Sequence, residues 1–184
     1  MVPRPYDPYG VGNMSQRPEE RQEMGFKSIF IDHNMSILGM LRLYDSDNIL
    51  ISSQDSLWKC RDMLIARLSK TEPRDIRIHL RPQLLDTGID LYRPYLKDGV
   101  EFYLWQGDSG TAAGLLDNLT VVRSRLKNVA RDEGFLVIQT PTSSRILAAW
   151  KEADNRTVGV LVTNPRTVDR VADQLMAIIQ SGAR

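Results

Sequence analysis

Few residues of this 184-residue chain are placed to do chemistry by type and spacing. Gly107-Asp108-Ser109-Gly110 spells the tetrapeptide found around the serine of chymotrypsin-like proteases. It opens a helix-like stretch, however, and His33 has no matching setting, so a turn with a helix cap is the plainer reading. His79 sits inside the strand-like DIRIHL, and with only His33 besides there is no histidine and cysteine cluster to hold a metal. Cys60 is the single cysteine; it has no bridging partner and reads as a small buried hydrophobe. Helix starts expected at Thr111, Thr142 and Arg166 would present unpaired N–H groups, and Arg145 and Arg166 would add guanidinium contacts, a pattern suited to anions. One functional reading is therefore an α/β regulatory domain that senses a nucleotide or another anionic small molecule.

The elements that must position these groups follow from periodicity. Residues 48–52 (NILIS), 75–80 (DIRIHL), 100–105 (VEFYLW), 135–139 (FLVIQ) and 158–163 (VGVLVT) read as short apolar strands. Residues 28–32 and 37–44 are apolar stretches too short to assign. A helix is predicted over 56–70, with Leu57, Cys60, Leu64 and Leu68 on one face and Ser53 or Asp55 as cap. Residues 82–98, interrupted by Gly88 and Pro94, read as a loop with one or two helical turns. Leu115, Leu119, Val122, Leu126 and Val129 are spaced as a long helix face. Thr140-Pro141 predicts a helix through Ile146, Trp150 and Ala153, and Asn164-Pro165 predicts another through Val168, Val171, Leu175 and Ile179, ending near Gly182. Strands alternating with helices argue for an α/β fold: a mainly parallel sheet with helices on both faces and ligands at the carboxyl ends of the strands.

Residues 1–25, with four prolines and almost no aliphatic side chains, read as an N-terminal tail, flexible or docked on a partner through Tyr6 and Tyr9. Residues 26–184 then form a single α/β domain. A formal charge of +1 gives no broad field for nucleic acid, and no nucleic-acid partner is expected. No apolar run approaches the roughly 20 residues of a membrane span, and no apolar signal region opens the chain. The expected location is cytoplasmic, or peripheral at the inner membrane through a partner.

The segment from Val100 onward, VEFYLWQGDSGTAAGLLDN, then FLVIQTPTS, then VGVLVTNPRTVDRVADQL, resembles the cytoplasmic kinase domain of bacterial tyrosine autokinases, which accompany polysaccharide co-polymerases. More loosely it resembles the MinD/ParA family of deviant P-loop ATPases. Under that resemblance, Ile138-Gln139-Thr140-Pro141 takes the Walker B place, with Gln139 where the families carry an acid. Residues 48–70 take the place of the phosphate loop and its helix, echoed only by Ser52, Ser53 and Lys59. His79-Leu80-Arg81-Pro82 falls where a second acidic strand end belongs.

The departures predict a loss of chemistry. A phosphate loop needs glycines so that backbone N–H groups can turn inward, and residues 53–60 contain none. Ser53, Asp55, Lys59 and Cys60 would form only a degenerate loop, with Cys60 near the place of the magnesium-binding hydroxyl and no carboxylate at Gln139. The resemblance thus implies a P-loop-like fold without an intact phosphate loop, a pseudo-ATPase or pseudo-kinase without catalytic residues, cofactor or metal. Its role would be protein–protein interaction in envelope polysaccharide (exopolysaccharide) synthesis or export, beside a membrane co-polymerase or synthase or as a homo-oligomer.

Overall fold

The computed structural model describes residues 27–31, 36–44, 48–86, 89–95, 99–106, 119–124 and 133–182. Eight strands form one sheet: β1 (Lys27–Ile31), β2 (Asn48–Ile51), β3 (Arg77–Arg81), β4 (Glu101–Gln106), β5 (Leu119–Ser124), β6 (Glu133–Gln139), β7 (Arg145–Lys151) and β8 (Thr157–Val162). Three helices accompany them among the described residues: α1 (Ile37–Arg42), α2 (Gln54–Leu68) and α3 (Pro165–Gly182). The strand order is β1-β5-β4-β3-β6-β7-β8-β2. β1, β5, β4 and β3 run parallel to their neighbours, whereas β6 is antiparallel to β3 and every later pairing is antiparallel.

This sheet corrects the expected mainly parallel, P-loop-like fold. The reason is the length of two connections: residues 140–144 join β6 to β7, and residues 152–156 join β7 to β8. Five residues reverse a chain into an antiparallel neighbour, but a parallel neighbour needs a crossover of a dozen or more. The helix predicted through Ile146, Trp150 and Ala153 is instead β7, in which Ile146, Leu147, Ala148 and Ala149 are all fully buried. Four consecutive buried residues fit a strand whose two faces are both covered, not one stripe of a helix. Leu119 and Val122, predicted on a helix face, belong to β5, whose Thr120-Val121-Val122 run favours a pleated strand; Leu115, Leu126 and Val129 lie outside the described residues.

Alternation splits the core in two. Ile78, Leu80, Phe102, Leu104 and Leu136 face α2, whose Leu57, Leu64 and Leu68 pack on them. Val137, Ile146, Ala148 and Val160 face the other way, under Val168, Val171, Leu175 and Ile179 of α3 and Ile37 and Leu41 of α1. Ser53 caps α2 by accepting a hydrogen bond from Ser56 N at 3.2 Å. Gly134 is required by close approach, because a Cβ there would run into the backbone carbonyl of Gln83. Among the described residues no helix is long and apolar enough to cross a membrane.

Candidate functional site

At the end of the sheet where β3 and β4 begin and β6 finishes, three polar residues stand side by side: Arg77 is in register with Glu101 on one side and Gln139 on the other. Arg77 Nε donates to Glu101 Oε2 at 2.6 Å, and this bond holds the guanidinium pKa above its ordinary value. Gln139 Nε2 donates to Asp169 Oδ1 at 3.1 Å, while Gln139 Oε1 is buried without a hydrogen-bond partner. Around them lies an open cleft of about 240 Å³, lined also by Arg74, Asp75, Thr140, Ser144 and Asp169.

The wall next to α3 is a turn built by Thr140, whose Oγ1 accepts from Ser143 N at 2.9 Å and donates to Ser143 O at 2.8 Å. The same turn borders a second, small cavity of about 20 Å³ on the α2 side, where Arg67, Thr71 and Arg145 meet it. Arg145 Nη1 donates to Ser144 O at 2.7 Å and to Thr163 O at 3.3 Å, tying the turn to the start of α3. Arg166 follows in the first turn of α3 and is exposed, as are Arg67 and Arg74. Arg74 and Arg77 thus line the cleft and Arg67 and Arg145 the small cavity, while Arg166 lines neither. Three carboxylates share the cleft: Glu101 is engaged by Arg77 and Asp169 by Gln139, while Asp75 is exposed.

The opposite end of the sheet is buried. Glu133 accepts from Ser36 Oγ at 2.6 Å and from Ile37 N at 3.0 Å, which anchors the start of α1. Arg81 is 3% exposed; burial lowers its pKa, and the nearby Glu133 charge opposes that effect. Between the two ends His79 is fully buried, stacked on Tyr103 with ring centroids 4.8 Å apart. Burial, helped by the charge of Arg77, pushes its pKa down to about 3, so the imidazole is neutral. Burial also raises the pKa of the Tyr103 phenol. A neutral, sealed histidine hydrogen-bonded to Trp105 is a packing element. Among the described residues no three His, Cys, Asp or Glu side chains group together as metal ligands.

The residues singled out from the sequence scatter. Ser53 is the cap of α2, Asp55 lies exposed in its first turn, Lys59 is exposed on its flank, and Cys60 packs half-buried against the core. Gln139 lies across the sheet at the cleft, so the structure does not assemble Ser53, Asp55, Lys59 and Cys60 with Gln139 as one nucleotide site. Thr142 is an exposed turn residue rather than a helix start, which removes it as an anion site. The N–H of Arg166 is already taken by Asn164 Oδ1 at 3.0 Å. Arg145 lines the small cavity on the α2 side of the turn and not the cleft. Thr111, Tyr6 and Tyr9 lie outside the described residues. Arg67, Arg74 and Arg77 were not among the candidates. Their sequence signal is the recurrence of cations at Arg67, Lys70, Arg74 and Arg77, from the end of α2 to the start of β3, interleaved with Glu72 and Asp75.

No protein-family model and no curated protein matches the chain. Among solved structures it is similar to TrmBL2, an archaeal chromatin protein reported to show a novel mode of DNA binding, with a TM-score of 0.47 and 10% identity. The similarity covers 75% of this chain and 56% of that one, so the chain spans little more than half of that protein's structure. The expected pseudo-ATPase or pseudo-kinase partner of a polysaccharide co-polymerase or synthase is withdrawn, along with its MinD/ParA-like and autokinase-like description. It depended on an order of strands and helices that the mixed sheet does not have. The alternative, an α/β regulatory domain sensing a nucleotide or other anionic small molecule, is withdrawn with the parallel α/β sheet it assumed and with the helix start expected at Thr142. The exclusion of a nucleic-acid partner is withdrawn as well: it rested on net charge, and the arginines gather locally at one end of a nearly neutral chain.

Proposed function

We propose that this protein is a nucleic-acid-binding module without chemistry of its own, holding the phosphate backbone at the cleft between β3, β4 and the turn from β6 to β7. The observation that carries the reading is the pair of Arg74 and Arg77 at the cleft with Arg67 and Arg145 at the small cavity beside the same turn, four arginines from separate elements at one end of the sheet. Guanidinium groups suit phosphate oxygens because their N–H donors match them in pairs. Arg74 and Arg77 border the open cleft and Arg67 and Arg145 the cavity across the Thr140 turn, so the cations are spread along this end instead of converging on one enclosed point, which fits an extended chain of phosphates. Thr140, Ser144 and the unpartnered Gln139 Oε1 add neutral groups for sugar or base edges. Binding without catalysis is part of the same proposal, supported by His79, which is sealed and neutral, and by Glu101 and Asp169, which are already engaged.

The test is fluorescence anisotropy with labelled single-stranded and duplex oligonucleotides over a range of salt. Binding is expected to weaken with salt by a slope of about 0.9 for each phosphate neutralised on duplex DNA. Arg67→Glu with Arg74→Glu, both at exposed positions, should weaken binding and flatten that slope by about two contacts' worth. Salt-independent binding, or the same curve for the double variant, refutes the assignment.

A further inference from the structure

β2 is an edge strand: among the described residues it pairs with β8 and nothing else. Its outer half is unusual for an edge. Ile49 is 55% and Leu50 70% exposed, and Leu43, just before it in the chain, is 74% exposed. Strands that end a sheet in a monomer are guarded by lysine, proline, a bulge or an inward charge, because an open edge recruits another strand. Ile49, Leu50 and Ile51 carry none of these.

We infer that two copies of this chain pair through β2, antiparallel about a two-fold axis normal to the sheet, fusing two eight-stranded sheets into one. Self-pairing is favoured over a foreign strand because the edge complements itself. Facing residues of an antiparallel pair point to the same side. Ile51 is buried on the α2 side, so Ile49 shares that side and Leu50 takes the other. Centring the axis on Leu50 sets Leu50 against its own copy and Ile49 against Ile51, apolar against apolar on both faces, with no like charges meeting. A four-residue strand alone falls short of the ~800 Å² per partner that a stable interface buries. Met63, 42% exposed on α2, which packs against β2, is a further apolar side chain on the Ile49 side.

Sedimentation velocity over a concentration series should show a dimer, with Leu50→Lys shifting it to monomer while circular dichroism and melting temperature stay as in the parent. Leu50→Cys in a Cys60→Ser background should form a disulfide-linked dimer under mild oxidation, and Lys59→Cys in the same background should not. A monomer at every concentration, a dimer untouched by Leu50→Lys, or cross-linking equal at both cysteines would overturn the pairing. Should Leu50→Lys not fold, the cross-linking comparison decides alone.

Discussion

Trp105 Nε1 donates a hydrogen bond to Nδ1 of His79 across 3.3 Å, inside the core. Indole is a donor only, so His79 Nδ1 carries no proton and the neutral ring holds its hydrogen on Nε2, which has no partner.

That arrangement makes stability fall with acid. The folded pKa of about 3 lies below the ordinary 6.5. In the unfolded chain the imidazole therefore takes a proton below pH 6.5, while the folded ring stays neutral. The stabilisation is complete above pH 6.5 and is lost steadily as pH falls towards 3, by about 1.4 kcal/mol per pH unit. Urea unfolding at pH 7 and pH 5 should show a loss of about 2 kcal/mol that is absent in His79→Gln. An equal loss in the variant would assign the acid sensitivity to other groups.

Arg61 clamps a strained turn. Its Nη1 donates to Leu85 O at 2.6 Å and to Asp86 O at 2.5 Å, and the turn places Leu84 at φ 62° and Asp86 at φ 45°. Such left-handed backbone is costly for a residue with a Cβ and persists where surrounding contacts impose it. Arg61→Met keeps the side-chain volume near that of arginine but drops both bonds, and is expected to cost about 2–3 kcal/mol. Limited proteolysis should then cut near Leu84 faster than in the parent.

Gly134 tolerates no side chain. The carbonyl of Gln83 occupies the place of a Cβ, and both backbones are fixed in or beside strands. Gly134→Ala should cost about 3 kcal/mol or more by overpacking, read as a lower urea midpoint, whereas Gly39→Ala, which meets only Ser36 at 3.4 Å, should change little.

The two Xaa-Pro pairs show what the sequence disclosed and what it hid. Thr140-Pro141 and Asn164-Pro165 both look like helix caps, and both side chains do accept a backbone N–H: Thr140 from Ser143, Asn164 from Arg166. Only the second is followed by a helix. The bond that caps a helix also closes a turn, so capping chemistry alone does not choose the element. The continuation chooses: RTVDRVADQL carries one apolar face, while RILAAWK is apolar at five successive positions, the mark of a strand covered on both sides. β2, β3, β4, β6, β8, α2 and α3 were legible from period and caps, whereas β5 and β7 read as helices, β1 stayed unassigned, and the direction of β6, β7 and β8 was hidden because it is carried by turn length. The cleft was least legible. Arg67, Arg74, Arg77 and Arg145 are ordinary surface arginines along the chain and become a group only through the pairing of β3 with β6.

The division of the sheet also orders its assembly in time. Residues 133–182 contain β6, β7, β8 and α3, joined in sequence through short links, so their contacts close small loops. The parallel half must bring Lys27 to Thr120 before β1 can pair with β5. Closing the longer loop costs more chain entropy before any contact repays it. During synthesis the early strands leave the ribosome first, yet they wait for the last third of the chain to supply β6, the strand on which β3 is paired.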